Sequence, residues 1–150
     1  MTNALLAAHV IAALLTIGPV AVAGSMFPRP ARALAADPTD VGARSVVELL
    51  HRISRVYAVI GLAIPALGVV VAVRWSKFGE TWLQVSIGLT VVAALVLALG
   101  VLPEQRRVLD GASGAAAARR TAMLTGVFNL AWAAVAVLMI TQPGDSYSGS

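Results

Sequence analysis

The chain has 150 residues, of which 59% are hydrophobic, and a mean hydropathy of +0.86. A soluble domain of this length has too little interior to hide that much apolar surface, so lipid must cover it. The formal net charge of +4 fits basic membrane loops drawn to anionic headgroups better than nucleic-acid binding, and the absence of cysteine excludes disulfides, thiolate metal sites and thiol redox chemistry.

Four apolar stretches follow one another, at about 4–27, 57–73, 82–102 and 121–140. Each is close to the roughly 20 residues of helix that cross a bilayer core. Backbone groups in lipid must be satisfied within their own segment, which makes each stretch a helix. The expected fold is all-α: one domain, a four-helix transmembrane bundle running up-down-up-down.

The first span is expected to begin near Asn3 as N-cap, to bend around Gly18-Pro19, and to end by Pro28 and Pro30. Ala21-Val22-Ala23 has the small-x-small pattern of a signal-peptide cleavage site, but no Lys or Arg precedes the apolar run and the run is long, so it reads as a retained anchor. Thr39-Asp40 can cap a helix starting at Val41, whose charged groups suit the headgroup layer before the second span begins. Pro65, flanked by Gly61 and Gly68, predicts a kink within that span. In the third span Ser86, Thr90, Ala94 and Ala98 form a small-residue stripe; in the fourth, Ala122, Gly126, Asn129, Ala133 and Ala136 or Val137 suggest another. The connection 111–118 is alanine-rich, with Gly111 and Gly114 as breaks, and Pro143 closes the last helix. Tyr57, Trp75 and Trp82 read as interfacial anchors, and Trp132 as packing.

Charge sets the orientation. Arg29, Arg32, Arg44, Arg52 and Arg55 lie between the first two spans, and Arg106, Arg107, Arg119 and Arg120 between the last two. Only Arg74 and Lys77 occupy the middle connection. The positive-inside rule makes 28–56 and 103–120 cytoplasmic, and puts both termini and 74–81 on the outer side of the cell membrane.

Polar residues within the spans are few: His9, Thr16, Gln84, Ser86, Thr90, Thr125 and Asn129. With no acidic residue or lysine inside an apolar core, a proton relay or ordinary secondary transporter is not expected. His9 stands roughly 8 Å below the outer boundary, and its readings are a haem or metal ligand, a quinone contact, or a neutral histidine bonded to a polar partner on a neighbouring helix or a partner subunit. His51 reads as an interfacial polar residue among arginines, about 20 Å away along the membrane normal, which excludes a shared two-histidine site. Gln84 and Asn129 are expected as polar contacts between helices.

Ala8-His9-Val10 followed by Gly18 and Met26-Phe27-Pro28-Arg29, together with Arg52-Ile53-Ser54-Arg55-Val56-Tyr57-Ala58 and Gly68 downstream, resembles the copper-resistance D-like superfamily of small polytopic membrane proteins. The similarity is to its uncharacterised integral membrane branch and, in the first helix, to its membrane-embedded protoporphyrinogen oxidases. The resemblance implies a haem contact at His9. The oxidases also use a lysine within a later span, whereas Lys77 here precedes the third. Copper handling lacks its ligands, since there is no cysteine and the four methionines are scattered.

Two functions follow as expectations. The first is a non-catalytic accessory or assembly subunit, embedded in the lipid bilayer and docked on other membrane subunits or on itself, with no cofactor. The second is a haem- or quinone-binding redox protein using His9.

Overall fold

The computed structural model describes residues 2–74, 79–111, 114–141 and 143. Every regular element among them is helical: α1 (Thr2–Met26), α2 (Pro28–Ala36), α3 (Val41–Gly61), α4 (Ala63–Arg74), α5 (Thr81–Leu95), a π-helical turn (Val96–Val101), α6 (Leu102–Leu109) and α7 (Gly114–Thr141). They combine into four helical runs long and apolar enough to cross a membrane, Ala7–Ala36, Val41–Val70, Thr81–Leu109 and Ala115–Thr141. The described residues are thus all-helical, with four runs compatible with a small integral membrane protein.

The runs overshoot the apolar stretches at their basic ends. Pro28 and Pro30 do not stop the first helix; they sit in the opening turns of α2, where an N–H would have no partner anyway. Asn3 lies inside the first turn of α1 rather than capping it, and α1 continues through Pro19. Only 37–40 remains as a turn before α3. There Asp40 accepts from the Ala43 N–H at 2.9 Å and caps α3 as the sequence suggests. Asp37 accepts from both the hydroxyl (2.6 Å) and the N–H (2.9 Å) of Thr39. These bonds, the hydroxyl's first, hold the Asp37 carboxyl below the ordinary carboxylate range. A depressed pKa means that the bonds favour the fold above the ordinary carboxylate range and lose this effect as pH falls through the folded value. In Thr39→Ala, carboxyl NMR should find the Asp37 titration moved up towards the ordinary value.

Prolines also explain the two interior breaks. Pro65 cannot donate to the Gly61 carbonyl, and the helix breaks at Leu62, whose N–H reaches both Ala58 and Val59 at 3.3 Å. Pro103 would thrust its ring at the Leu99 carbonyl. The turn ahead of it widens instead, so that the Leu102 N–H bonds Leu97, five residues back. Gly111, at φ +82°, takes the left-handed conformation that ends the third run. Trp75, Lys77 and the segment 144–150 lie outside the described residues.

The first run packs against α3, α4 and α7; α7 also packs against α2, α5, the π turn and α6; and α3 meets α6. Three apolar clusters follow. One gathers Ala23, Phe27, Ala31, Leu34, Val47, Leu50, Val108, Ala117 and Ala118 at the arginine-bearing end. A middle one holds Val20, Ala93, Leu97, Val101 and Phe128, with Tyr57, Ala58, Leu102, Leu124 and Trp132 against it. A third joins Trp82 and Leu83 to Ile87 and Met139 at the far end. Tyr57 therefore packs inward, and Trp82 is buried rather than standing free as an anchor.

The small-residue stripes drift from expectation. In the third run Ser86 is buried, but the buried face then passes through Ala93 and Leu97, leaving Ala98 exposed. In α7, Ala122, Ala133, Ala136 and Val137 are exposed, while Ala118, Thr121, Thr125, Phe128 and Val135 are buried. The cause is geometric: a strict spacing of four advances about 40° per step on a helix of 3.6 residues per turn, so such a stripe winds off its face.

Candidate functional site: a polar layer inside the bundle

Between the basic-end cluster and the middle cluster lies a thin layer of buried polar side chains. On α3, Val47 and Leu50 belong to the first cluster and Tyr57 and Ala58 to the second, with His51 and Ser54 between them. Gln105 lies between Val108 and Leu102, and Thr121 between Ala118 and Leu124. Gln105, Ser54 and Thr121 are fully buried and His51 is 9% exposed.

Three of the four bond to one another. His51 Nδ1 and Gln105 Oε1 are 3.1 Å apart, and Gln105 Nε2 donates to Ser54 Oγ at 3.3 Å. With the amide oxygen facing the ring, His51 Nδ1 is the donor and carries the hydrogen. This small network ties the second helical run to the third where α3 meets α6. The interfacial reading of His51 is thus corrected: the ring points into the bundle, because it shares the stripe of Val47, Leu50 and Ser54 at helical spacing while Arg52 and Arg55 point away. Sequence reasoning passed over Gln105 altogether. Its signal was the same periodicity, Val101–Gln105–Val108 on one face with Arg106 and Arg107 exposed beside it.

A second polar seam runs between α1 and α7. Asn129 Nδ2 donates to Ser25 Oγ at 3.4 Å, linking the two helices, while Asn129 Oδ1 is enclosed without a partner. One turn and two turns earlier, the hydroxyls of Thr125 and Thr121 are also enclosed and unpaired. Other hydroxyls in the helices behave differently: those of Thr16, Ser45, Ser86, Thr90 and Thr141 each donate to the carbonyl four residues back. Gly24 lets α1 approach this seam closely, since a Cβ there would lie 2.7 Å from Thr125 Cγ2 and 2.8 Å from its Oγ1.

His9 is remote from both. Half-buried on α1, it lies against Gly68 of α4, where a Cβ would stand 3.4 Å from the ring's Cε1, and its Nδ1 is enclosed without a partner. Gly68 is seventeen residues beyond His51, about 25 Å along a helix, so the two histidines serve no common site. Gln84 is exposed in the first turns of α5. Trp132 meets Phe128 edge-on at 6.3 Å between ring centroids, with its Nε1 enclosed and unpaired. Among the described residues, no three His, Cys, Asp or Glu side chains converge as metal ligands would.

No family model, no curated protein and no solved structure matches the chain.

Proposed function

We propose that this four-span chain works by association, as an accessory or assembly subunit in the cell membrane that presents its outward faces to lipid and to other membrane chains or a second copy of itself. The observation that supports this reading is how little of each span the chain covers for itself: between 12% and 28% of the apolar windows is buried. Inside the bundle, His51, Ser54 and Gln105 bond to one another and are not held open to a substrate. A complex purified in mild detergent should contain a second kind of chain in fixed ratio, or two copies of this one, and the assembly should dissociate in harsher detergent. A monodisperse single copy under the mildest conditions would overturn the reading.

The accompanying topology runs up-down-up-down with both termini outside, because nine of the eleven Lys and Arg flank the turn 37–40 and the 110–113 connection. The cysteine-free chain makes this easy to test. Cysteine replacing Gly79, an exposed position with open space around it, should react with an impermeant thiol reagent in intact cells, and cysteine replacing exposed Ala35 should not. The reverse pattern would invert the orientation.

A second reading, a haem- or quinone-binding redox protein, draws on the unpartnered His9 ring. A single ring nitrogen would hold the group, since His51 is out of reach. The bound group would supply the electron transfer, and His9 would orient it against α4. This reading expects a Soret or quinone absorbance in the purified protein that disappears in His9→Ala, and well-folded protein without either band would sink it.

A further inference from the structure

We propose that the start of α7 forms a binding site for one anionic phospholipid, with the phosphate between Arg119 and Arg120 and an acyl chain along the helix below them. A cavity of about 280 Å³ opens there, lined by Arg119, Arg120 and Met123. Whole small-molecule ligands fill pockets of roughly 300–1,000 Å³, so this one holds a phosphate and glycerol while the acyl chain runs outside it. The two guanidiniums are differently placed electrostatically. Glu104 of α6, only 13% exposed, holds Arg120 at 3.7 Å and Arg107 at 2.9 Å. Arg119 makes no ion pair among the described residues and leaves a full positive charge at the cavity.

The apolar half of the site follows from helical rotation. At about 100° per residue, Met123, Val127, Leu130 and Val137 all fall within the sector of roughly 100° between the directions of Arg119 and Arg120. All four are exposed, Leu130 at 73% and Met123 at 66%. The basic pair therefore crowns an uncovered apolar stripe and does not merely lie near one. Its phosphate-binding groups sit at the membrane-surface end, as an amphiphile requires. A soluble phosphate would use the arginines alone and leave the stripe unexplained. Arg52 and Arg55 of α3 are exposed arginines at the same end of the bundle.

The test uses full-length protein in phosphatidylcholine bilayers containing a small fraction of spin-labelled phosphatidylglycerol or, separately, spin-labelled phosphatidylcholine. The immobilised lipid fraction gives the relative affinity. An exposed basic residue near the surface contributes about fivefold in attraction to anionic lipid, and the expected preference for phosphatidylglycerol is at least that large. It should fall towards unity in R119Q/R120Q and persist in R52Q/R55Q, which removes the same charge elsewhere. Met123→Ser, which shortens the exposed apolar stripe without adding charge, should weaken it with both arginines intact. Competition separates the ligand sources: millimolar glycerol phosphate should leave the preference unchanged. Equal losses in the two double variants would reduce the effect to diffuse surface charge and overturn the proposal. Displacement by glycerol phosphate, or no preference in the unmodified protein, would overturn it too.

Discussion

Gly24→Ala should destabilise the bundle by about 1–3 kcal/mol, the usual cost of forcing a methyl group into a packed core, and Thr125→Ala in the same chain should restore most of that loss. The added Cβ would lie 2.7 and 2.8 Å from two Thr125 atoms, well inside contact distance, and 3.4 Å from Thr125 Cβ itself. Threonine cannot swing clear, because its branched Cβ leaves few rotamers in a helix. Relief must come from separating α1 and α7, which would also break the Asn129–Ser25 bond. Removing Cγ2 and Oγ1 removes the obstruction and costs no hydrogen bond, since the Thr125 hydroxyl has no partner. The four chains of the cycle can be compared by thermal or denaturant unfolding in detergent. Additive effects of the two substitutions would show that the helices do not meet at this point.

Gln105→Leu should cost about 1–3 kcal/mol, the penalty for leaving a buried polar group unpaired. One amide serves both His51 and Ser54, and the substitution orphans both. Ser54 has an alternative, the carbonyl four residues back, which Ser86 and Thr90 already use. The imidazole has no such local acceptor, so His51 carries most of the penalty. Hydrogen bonds between membrane helices average nearer 0.6 kcal/mol, and the larger figure applies here only because these groups are enclosed by protein. Two comparisons identify the source of the loss. Ser54→Ala should cost less than Gln105→Leu, and His51→Leu combined with Gln105→Leu should recover stability relative to Gln105→Leu alone. A Gln105→Leu protein as stable as the original would mean that α3 and α6 are held by their apolar neighbours alone.

The number of spans, the Asp40 cap, the break near Pro65 and the break at Gly111 were legible in the sequence because each depends on local chemistry: hydropathy over about 20 residues, a side chain reaching its own helix, a missing N–H, a residue without Cβ. The packed faces were less legible. A stripe of small residues every fourth position marks one side of a helix for only two or three steps, and nothing local says which side meets a neighbour. His51 was misplaced for a related reason. Its chain neighbours are arginines, yet what matters in a helix is the residue three or four positions away, and those positions hold Val47, Leu50 and Ser54. Gln105 was invisible for a further reason, since its role depends on a partner 54 residues away and on a distortion of the helix between Ala93 and itself.

That distortion bears on how the chain tolerates insertions and deletions. A π turn accommodates one residue more than the same stretch of α-helix, which corresponds to a rotation of about 100° for everything beyond it. On an uninterrupted α-helix Gln105 would project about 100° away from the direction of Ser86; the widened turn at Val96–Val101 brings it back onto the buried side. Deleting one residue of that turn would let it close into regular α-helix and leave Gln105 on the side of Ser86, whereas inserting one would swing Gln105 about 100° away from His51. The third span can thus lose a residue at this turn and keep its buried face, but cannot gain one.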